Sequence, residues 1–68
     1  MELKEFDFRL QKAIADLEER NRLVFLMNRI DGMTYNEIAG SIGLTVKAVE
    51  KRMKKALDYL TEQLNCKL

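Results

Sequence analysis

The chain lacks several residue types on which whole classes of protein depend. It has no histidine, and its one cysteine, Cys66, has no second thiol with which to form a disulfide within the chain. A zinc site built from Cys and His is therefore excluded, as are catalytic Ser–His and Cys–His pairs, because the base is missing. There is no proline, only three glycines occur, and no apolar run approaches the roughly 20 residues that span a bilayer. We therefore expect a reduced, cytoplasmic, all-helical module with no cofactor, no membrane insertion and an inert Cys66.

Length and composition predict one small globular domain. The 68 residues are 47% hydrophobic and 34% charged, which is the balance of a folded chain and not of a disordered one. We expect residues 1–68 to form a single helical domain, since no linker, repeat or low-complexity stretch divides them. Twelve Lys and Arg oppose eleven Asp and Glu, so the net charge is +1. Taken for the whole chain, that value argues against a protein that binds nucleic acid.

Apolar spacing predicts two helices in the first half of the chain. The first has one apolar stripe with intervals of four, four and three residues, formed by Phe6, Leu10, Ile14 and Leu17. The second is apolar on more of its circumference, which predicts the central and most buried helix; its apolar residues are Leu23, Phe25, Leu26, Met27 and Ile30. We expect it to end at Asp31-Gly32, where glycine can adopt the left-handed conformation that closes a helix.

Capping signals predict a short third helix and a longer fourth one. Thr34 followed by Glu37 is a capping box, and Gly43 should end that helix after about two turns. Thr45 is a good N-cap for the last helix, whose predicted core positions are Val49, Met53, Ala56, Leu57, Leu60 and Leu64. A short helix, a glycine-containing turn and a longer helix predict a helix-turn-helix over about residues 34–64. A plain helical hairpin has the same spacing and remains an alternative.

Charge is distributed unevenly, and this favours DNA binding by the last helix. Residues 1–43 hold six basic and eight acidic side chains, whereas residues 44–68 hold six basic and three acidic ones. Within residues 47–55 five are basic and one is acidic. At 100° per residue, the four lysines of this segment lie about 140° to 240° from Val49, opposite the apolar face. A phosphate backbone would meet this local field and not the average of the chain.

Three stretches of the sequence resemble region 4 of bacterial RNA polymerase sigma factors, in particular the extracytoplasmic-function (ECF) group. They run Arg22-Leu23-Val24-Phe25-Leu26, Asp31 to Ala39 and Gly43 to Leu57, and the resemblance covers about residues 10–64. It implies an all-α, four-helix domain of the winged-helix-like or sigma region 4 type, with a helix-turn-helix and no wing. Two positions depart from the family, since Ala48 replaces the usual Thr and Glu18 replaces a common Pro. Nothing resembles the promoter-opening region 2, so we expect an excised C-terminal domain or an unusually short relative.

The resemblance also implies a DNA-binding site. The last helix would lie in the major groove of the −35 promoter element, where the matching base- and phosphate-reading positions are Lys47, Glu50, Lys51, Lys54 and Lys55. Tyr35 and Asn36 match a pair that contacts the DNA backbone, and Thr45 would contact phosphate in addition to capping. Arg52 lies off the lysine stripe, which suggests a flanking phosphate or an ion pair. Four alternatives stay open, namely a Glu50–Lys54 ion pair, Tyr35 packed on the second helix, Arg22 in an interhelical salt bridge, and lysines that are only solvated.

The family resemblance further implies protein partners. Region 4 docks on the β-subunit flap of RNA polymerase core and is masked by anti-sigma factors through apolar surface, for which the candidates are Phe6, Phe8, Leu10 and Met33. Two other functions compete with this one: a LuxR-type regulator domain, and a helical protein-interaction module that never touches DNA. Thr34-Tyr35 and Arg52 favour the sigma factor over the LuxR type. An enzyme is not expected, because the acidic residues lie on solvated stretches.

Overall fold

The computed structural model describes residues 2–65, except for the side chains of residues 2–4 and 6, and contains four α-helices over that range. They are α1 (Glu2–Asp16), α2 (Glu19–Arg29), α3 (Tyr35–Ile42) and α4 (Val46–Leu64). No strand occurs in the described part of the chain. The all-α fold class and the order of a short helix before a long one are therefore confirmed.

The central helix of the domain is α4. It packs against all three other helices, and five of its apolar residues are buried: Val49, Met53, Ala56, Leu60 and Leu64. Their spacing of three and four residues places them on one face of the helix. All five were predicted core positions, while the sixth, Leu57, is half-buried.

The prediction that the second helix is the most buried one is wrong. Only Val24 and Phe25 of α2 are buried, whereas Leu23 is 47% exposed and Ile30, just beyond the helix, is 75% exposed. An eleven-residue helix that packs mainly on one neighbour can bury one stripe only, so apolar side chains elsewhere on its circumference remain in solvent. Apolar content alone therefore overestimated the burial of this helix.

The first helix covers the remaining side of the core. Leu17 is buried and Ile14 packs against the core, as the apolar stripe predicted, although Leu17 follows the last helical residue. Ala13, which lies outside that stripe, is also buried. A small side chain at a buried position permits neighbouring helices to pack closely.

Local hydrogen bonds fix both ends of α3 as the sequence predicted. The Thr34 hydroxyl accepts a hydrogen bond from the Glu37 N–H at 3.2 Å, and the Glu37 carboxylate accepts one from the Thr34 N–H at 2.8 Å. At the other end, Gly43 has φ +71° and the backbone N–H groups of Gly43 and Leu44 both donate to the Ala39 carbonyl. Ala39 is buried and Leu44 packs against the core, so these apolar contacts hold the turn in place.

The end of α2 differs in detail from its prediction. Its last helical residue is Arg29, and Gly32 adopts the expected left-handed φ of +68° three residues later, within the turn. The side-chain amide of Asn28 donates a hydrogen bond of 2.9 Å to the Met33 carbonyl across this turn. This bond ties the end of α2 to the segment that leads into α3.

Gly40, within α3, and Gly43, directly after it, should respond in opposite ways to the same substitution. Gly43→Ala places a Cβ on a left-handed residue, and we expect it to lower the free energy of unfolding by about 1–2 kcal/mol. Gly40→Ala adds a methyl group to an exposed helical position with no atom within 4 Å, and should raise it by roughly 0.5–1 kcal/mol. Urea unfolding followed by circular dichroism measures both. Shifts of the same sign would contradict the assigned cap.

Candidate nucleic-acid interface

The face of α4 opposite the core is exposed and mostly basic. Val49 and Ala56 are fully buried on the inner face. The exposed side chains of the first three turns are Lys47, Glu50, Lys51, Lys54 and Lys55. The fourth helix therefore has the two opposed faces that the helical spacing predicted, and its basic side is free to approach an anionic ligand.

An open groove of about 300 Å³ lies between this basic face and the start of α2. The α4 side is formed by Ala48, Lys51, Arg52 and Lys55, and the α2 side by Glu18, Arg20 and Asn21. Four cationic side chains thus face one carboxylate in the same groove. Clusters of Lys and Arg donors are a usual means by which proteins bind phosphate oxygens.

Sequence reasoning missed Arg20 and Asn21. Both residues lie in the first turn of α2, and their nearness to α4 follows from how the two helices cross. Periodicity identifies which face of a helix is apolar but does not show which helix end lies beside which neighbour. No signal in the sequence, apart from the charge of Arg20 itself, marks them.

Arg52 belongs to this groove. It is half-buried and lines the groove between Lys51 and Lys55, so its position fits a flanking phosphate contact, one of the two roles that its helical angle suggested. Among the ion pairs of the described residues, none involves Arg52. Its guanidinium offers five donors in a fixed geometry that suits phosphate.

Lys54 differs from its neighbours because its ammonium is already paired. Its Nζ lies 3.0 Å from Oδ2 of Asp58, one helical turn further along α4. The alternative in which Glu50 pairs with Lys54 is therefore wrong, and Glu50 stays exposed.

The residues at the helix starts have mainly structural contacts. The Thr45 hydroxyl accepts a hydrogen bond of 3.1 Å from the Ala48 N–H and so caps α4, as predicted. Tyr35 is half-buried and packs against the core, while Asn36 beside it is exposed. Both stand in the first turn of α3, whose remaining free N–H groups favour an anion.

Arg22 joins two helices, although not by the salt bridge that we expected. Its guanidinium donates hydrogen bonds of 2.9 Å to the Ala15 carbonyl and 3.4 Å to the Leu17 carbonyl, at the end of α1. The last carbonyls of a helix lack intrahelical partners and carry its negative dipole end, so they attract a cation as a carboxylate would. Arg22 therefore stabilises the α1–α2 corner.

A second, apolar groove of about 220 Å³ lies between α1 and α2. Its walls are Leu10, Ile14, Phe25, Arg29 and Ile30, and the Arg29 guanidinium lies 5.8 Å from the centre of the Phe25 ring. Of the predicted docking residues, Leu10 lines this groove, Phe8 is 69% exposed and Met33 packs against the core. The Phe6 side chain and Cys66 lie outside the part of the molecule that is described. None of the helices within residues 2–65 is long and apolar enough to cross a membrane.

The role of Arg22 can be separated from that of Arg20 by stability. We expect Arg22→Met to lower the free energy of unfolding by about 1 kcal/mol, because the carbonyls of Ala15 and Leu17 lose a charged donor. Arg20→Met is the matched control on the same helix and should change it by less than about 0.5 kcal/mol, as exposed positions do. Thermal unfolding of both variants measures the difference. Equal losses in the two variants would show that the hydrogen bonds from Arg22 to these carbonyls do not stabilise the fold.

Comparison with known proteins identifies the family. The family model of sigma-70 region 4 matches residues 7–60. The ferric citrate uptake sigma factor FecI of Escherichia coli strain K12 is 34% identical over 50 residues, which cover 74% of this chain and 29% of FecI. The chain thus spans less than a third of the length of that relative, and no solved structure matches it significantly. With the helix-turn-helix, the basic outer face of α4 and the predicted motifs, this match shows that the chain belongs to the region 4 family of sigma-70 factors.

Proposed function

We propose that this chain binds the −35 element of promoter DNA through the basic face of α4 and directs RNA polymerase to those promoters in the bacterial cytoplasm. On this proposal, residues 1–68 act as one helical domain whose DNA-reading unit is the helix-turn-helix of about residues 34–64. The observation that supports it most strongly is the groove in which Lys51, Arg52 and Lys55 face Arg20. A solvated lysine stripe alone would not bring a second basic helix end to the same place.

The groove suggests which residues contact phosphates and which contact bases. Arg20, Arg52 and Lys55 would hold phosphate oxygens of one strand and fix the register of α4 on the duplex. Lys47 and Lys51, exposed in the first two turns, would reach into the major groove and donate to guanine O6 and N7. Glu50 is exposed on the same part of α4 and would accept from cytosine N4.

Residues at the helix starts would complete the backbone contacts. Asn36 is exposed at the start of α3, where its amide and the free N–H groups of that turn favour a phosphate. Tyr35 would present its hydroxyl there while its ring packs against the core. The Thr45 hydroxyl, already engaged as a cap, retains a hydrogen to donate to a phosphate. Ala48 has no hydroxyl that could bind a phosphate. Its small apolar side chain would allow the DNA backbone to come close to the groove.

DNA binding should depend steeply on salt and on the residues of the groove. We expect the affinity for a short mixed-sequence duplex to fall with log salt between about 50 and 200 mM, with a slope of about −0.9 for each neutralised phosphate. Arg20→Ala combined with Lys55→Ala should make that slope less steep by about 1.8, because two phosphate contacts are lost. Fluorescence anisotropy of labelled duplex gives the slopes.

A matched control separates the groove from net charge. Arg9→Ala combined with Lys12→Ala removes the same charge from exposed positions of α1, and should change the slope far less. Binding that is insensitive to salt, or an equal loss in this control, would refute DNA recognition by α4. In that case the competing function, a helical module that binds only protein, would be the better account. If the groove variant and the control differ as expected, selection from randomised duplexes yields the preferred −35 sequence.

We further propose that the β-subunit flap of RNA polymerase core docks on the apolar groove between α1 and α2, and that an anti-sigma factor would cover the same surface. Ile30 is 75% exposed at the rim of this groove and Phe8 is 69% exposed on α1. Large apolar side chains with such exposure are typical of protein-interaction surfaces when they lie beside a concave site. This domain would have no catalytic activity of its own and would act by positioning the enzyme.

Docking on the polymerase can be tested on one side chain of that rim. Ile30→Asp should weaken binding to an isolated β-flap domain by about tenfold, since a carboxylate cannot enter an apolar contact. Leu23→Asp is the control. Leu23 is an exposed residue of α2, the helix that Ile30 directly follows, but it does not line the groove. Biolayer interferometry measures both, with duplex binding as a check on folding. Equal effects of the two variants would place the docking surface elsewhere.

A further inference from the structure

The Lys54–Asp58 ion pair lies within the DNA-facing stripe of α4. On a helical projection Asp58 lies about 180° from the core residue Val49, between the lysines at about 140° and 240°. Asp58 could in principle pair with Lys54 or with Lys55, which are four and three residues away. The structure shows the pair with Lys54, at 3.0 Å between Nζ and Oδ2.

The pair is weak but has a consequence for phosphate binding. Both side chains are largely exposed, 77% for Lys54 and 67% for Asp58, and a lysine that precedes its acidic partner is the less favourable order on a helix. An ion pair of this kind shifts a folding or binding equilibrium by only about twofold. While the pair is formed, however, Lys54 is not available to a phosphate, so DNA must break the pair before Lys54 can displace a counterion.

We propose that Asp58 holds Lys54 back from the phosphate backbone and thereby lowers the sequence-independent affinity of α4. This inference rests on the proposed DNA function and assigns to Asp58 a positioning role within it. In the free protein the α4 stripe then offers Lys47, Lys51 and Lys55 to DNA, while Lys54 engages only where a base or phosphate replaces Asp58. Sequence-independent binding is reduced, so that base contacts make up a larger share of the total.

The test is a double-mutant cycle on duplex binding. Asp58→Asn keeps the side-chain shape and releases Lys54, so the affinity for a mixed-sequence duplex should rise by about twofold at 50 mM salt, the amount by which such a pair changes an equilibrium. Because salt screens the exposed pair, this gain should disappear by about 200 mM, so the slope of log affinity against log salt steepens by about 0.5. In a background with both Lys54→Gln and Lys55→Gln the same substitution should leave the slope unchanged, because Asp58 then has no lysine within reach to release.

The outcomes separate the pair from a general effect of charge. If Asp58→Asn steepens the slope equally in both backgrounds, Asp58 acts through long-range repulsion and the proposal is overturned. An unchanged slope in the Lys54-containing protein overturns it as well, while leaving DNA recognition intact. Failure of the parent protein to bind duplex in a salt-dependent way would instead refute the proposed function itself. Asp7→Asn on α1, an exposed carboxylate in another part of the fold, is the control for net charge.

Discussion

The structure depends on the two opposed faces of α4. Val49, Ala56 and Leu60 are fully buried along one side of this helix, and its other side is exposed and basic. A shift of the helix by one residue would rotate every side chain by about 100°, which would bury lysines and expose the core. The packing of the core therefore determines which side chains α4 presents to a ligand. Stability and recognition are two consequences of one helical register.

Short connections between the helices determine where the rest of the domain lies relative to α4. Three residues separate α3 from α4, and the Ala39 carbonyl accepts hydrogen bonds from both Gly43 and Leu44 at the start of that turn. On the other side, Arg22 fixes the end of α1 against α2. With each corner held by hydrogen bonds, the first turn of α2 has a defined place beside α4. The basic groove is therefore a product of the helix connections as much as of the basic residues.

Features that depend on neighbours in the sequence could be predicted, and features that depend on tertiary packing could not. The Thr34–Glu37 capping box, the left-handed Gly43 and the apolar face of α4 follow from spacing of three to five residues, and all are confirmed. The burial of α2, the carbonyl partners of Arg22 and the place of Arg20 in the groove depend on how helices cross. Lys54 is an intermediate case, because either Glu50 or Asp58 satisfies the spacing rule and only the structure distinguishes them.

The net charge of +1 is consistent with the proposed DNA binding because the local field and the total charge control different quantities. Contact with phosphate depends on the cations within about one Debye length, roughly 8–10 Å, and these lie along α4 and the start of α2. Acidic residues further away in α1 reduce the long-range attraction that would draw the domain to any anionic surface. A domain that acts as one arm of a larger factor needs no high affinity alone, since linked sites bind at high effective concentration. A basic face on an otherwise acidic scaffold suits such an arm.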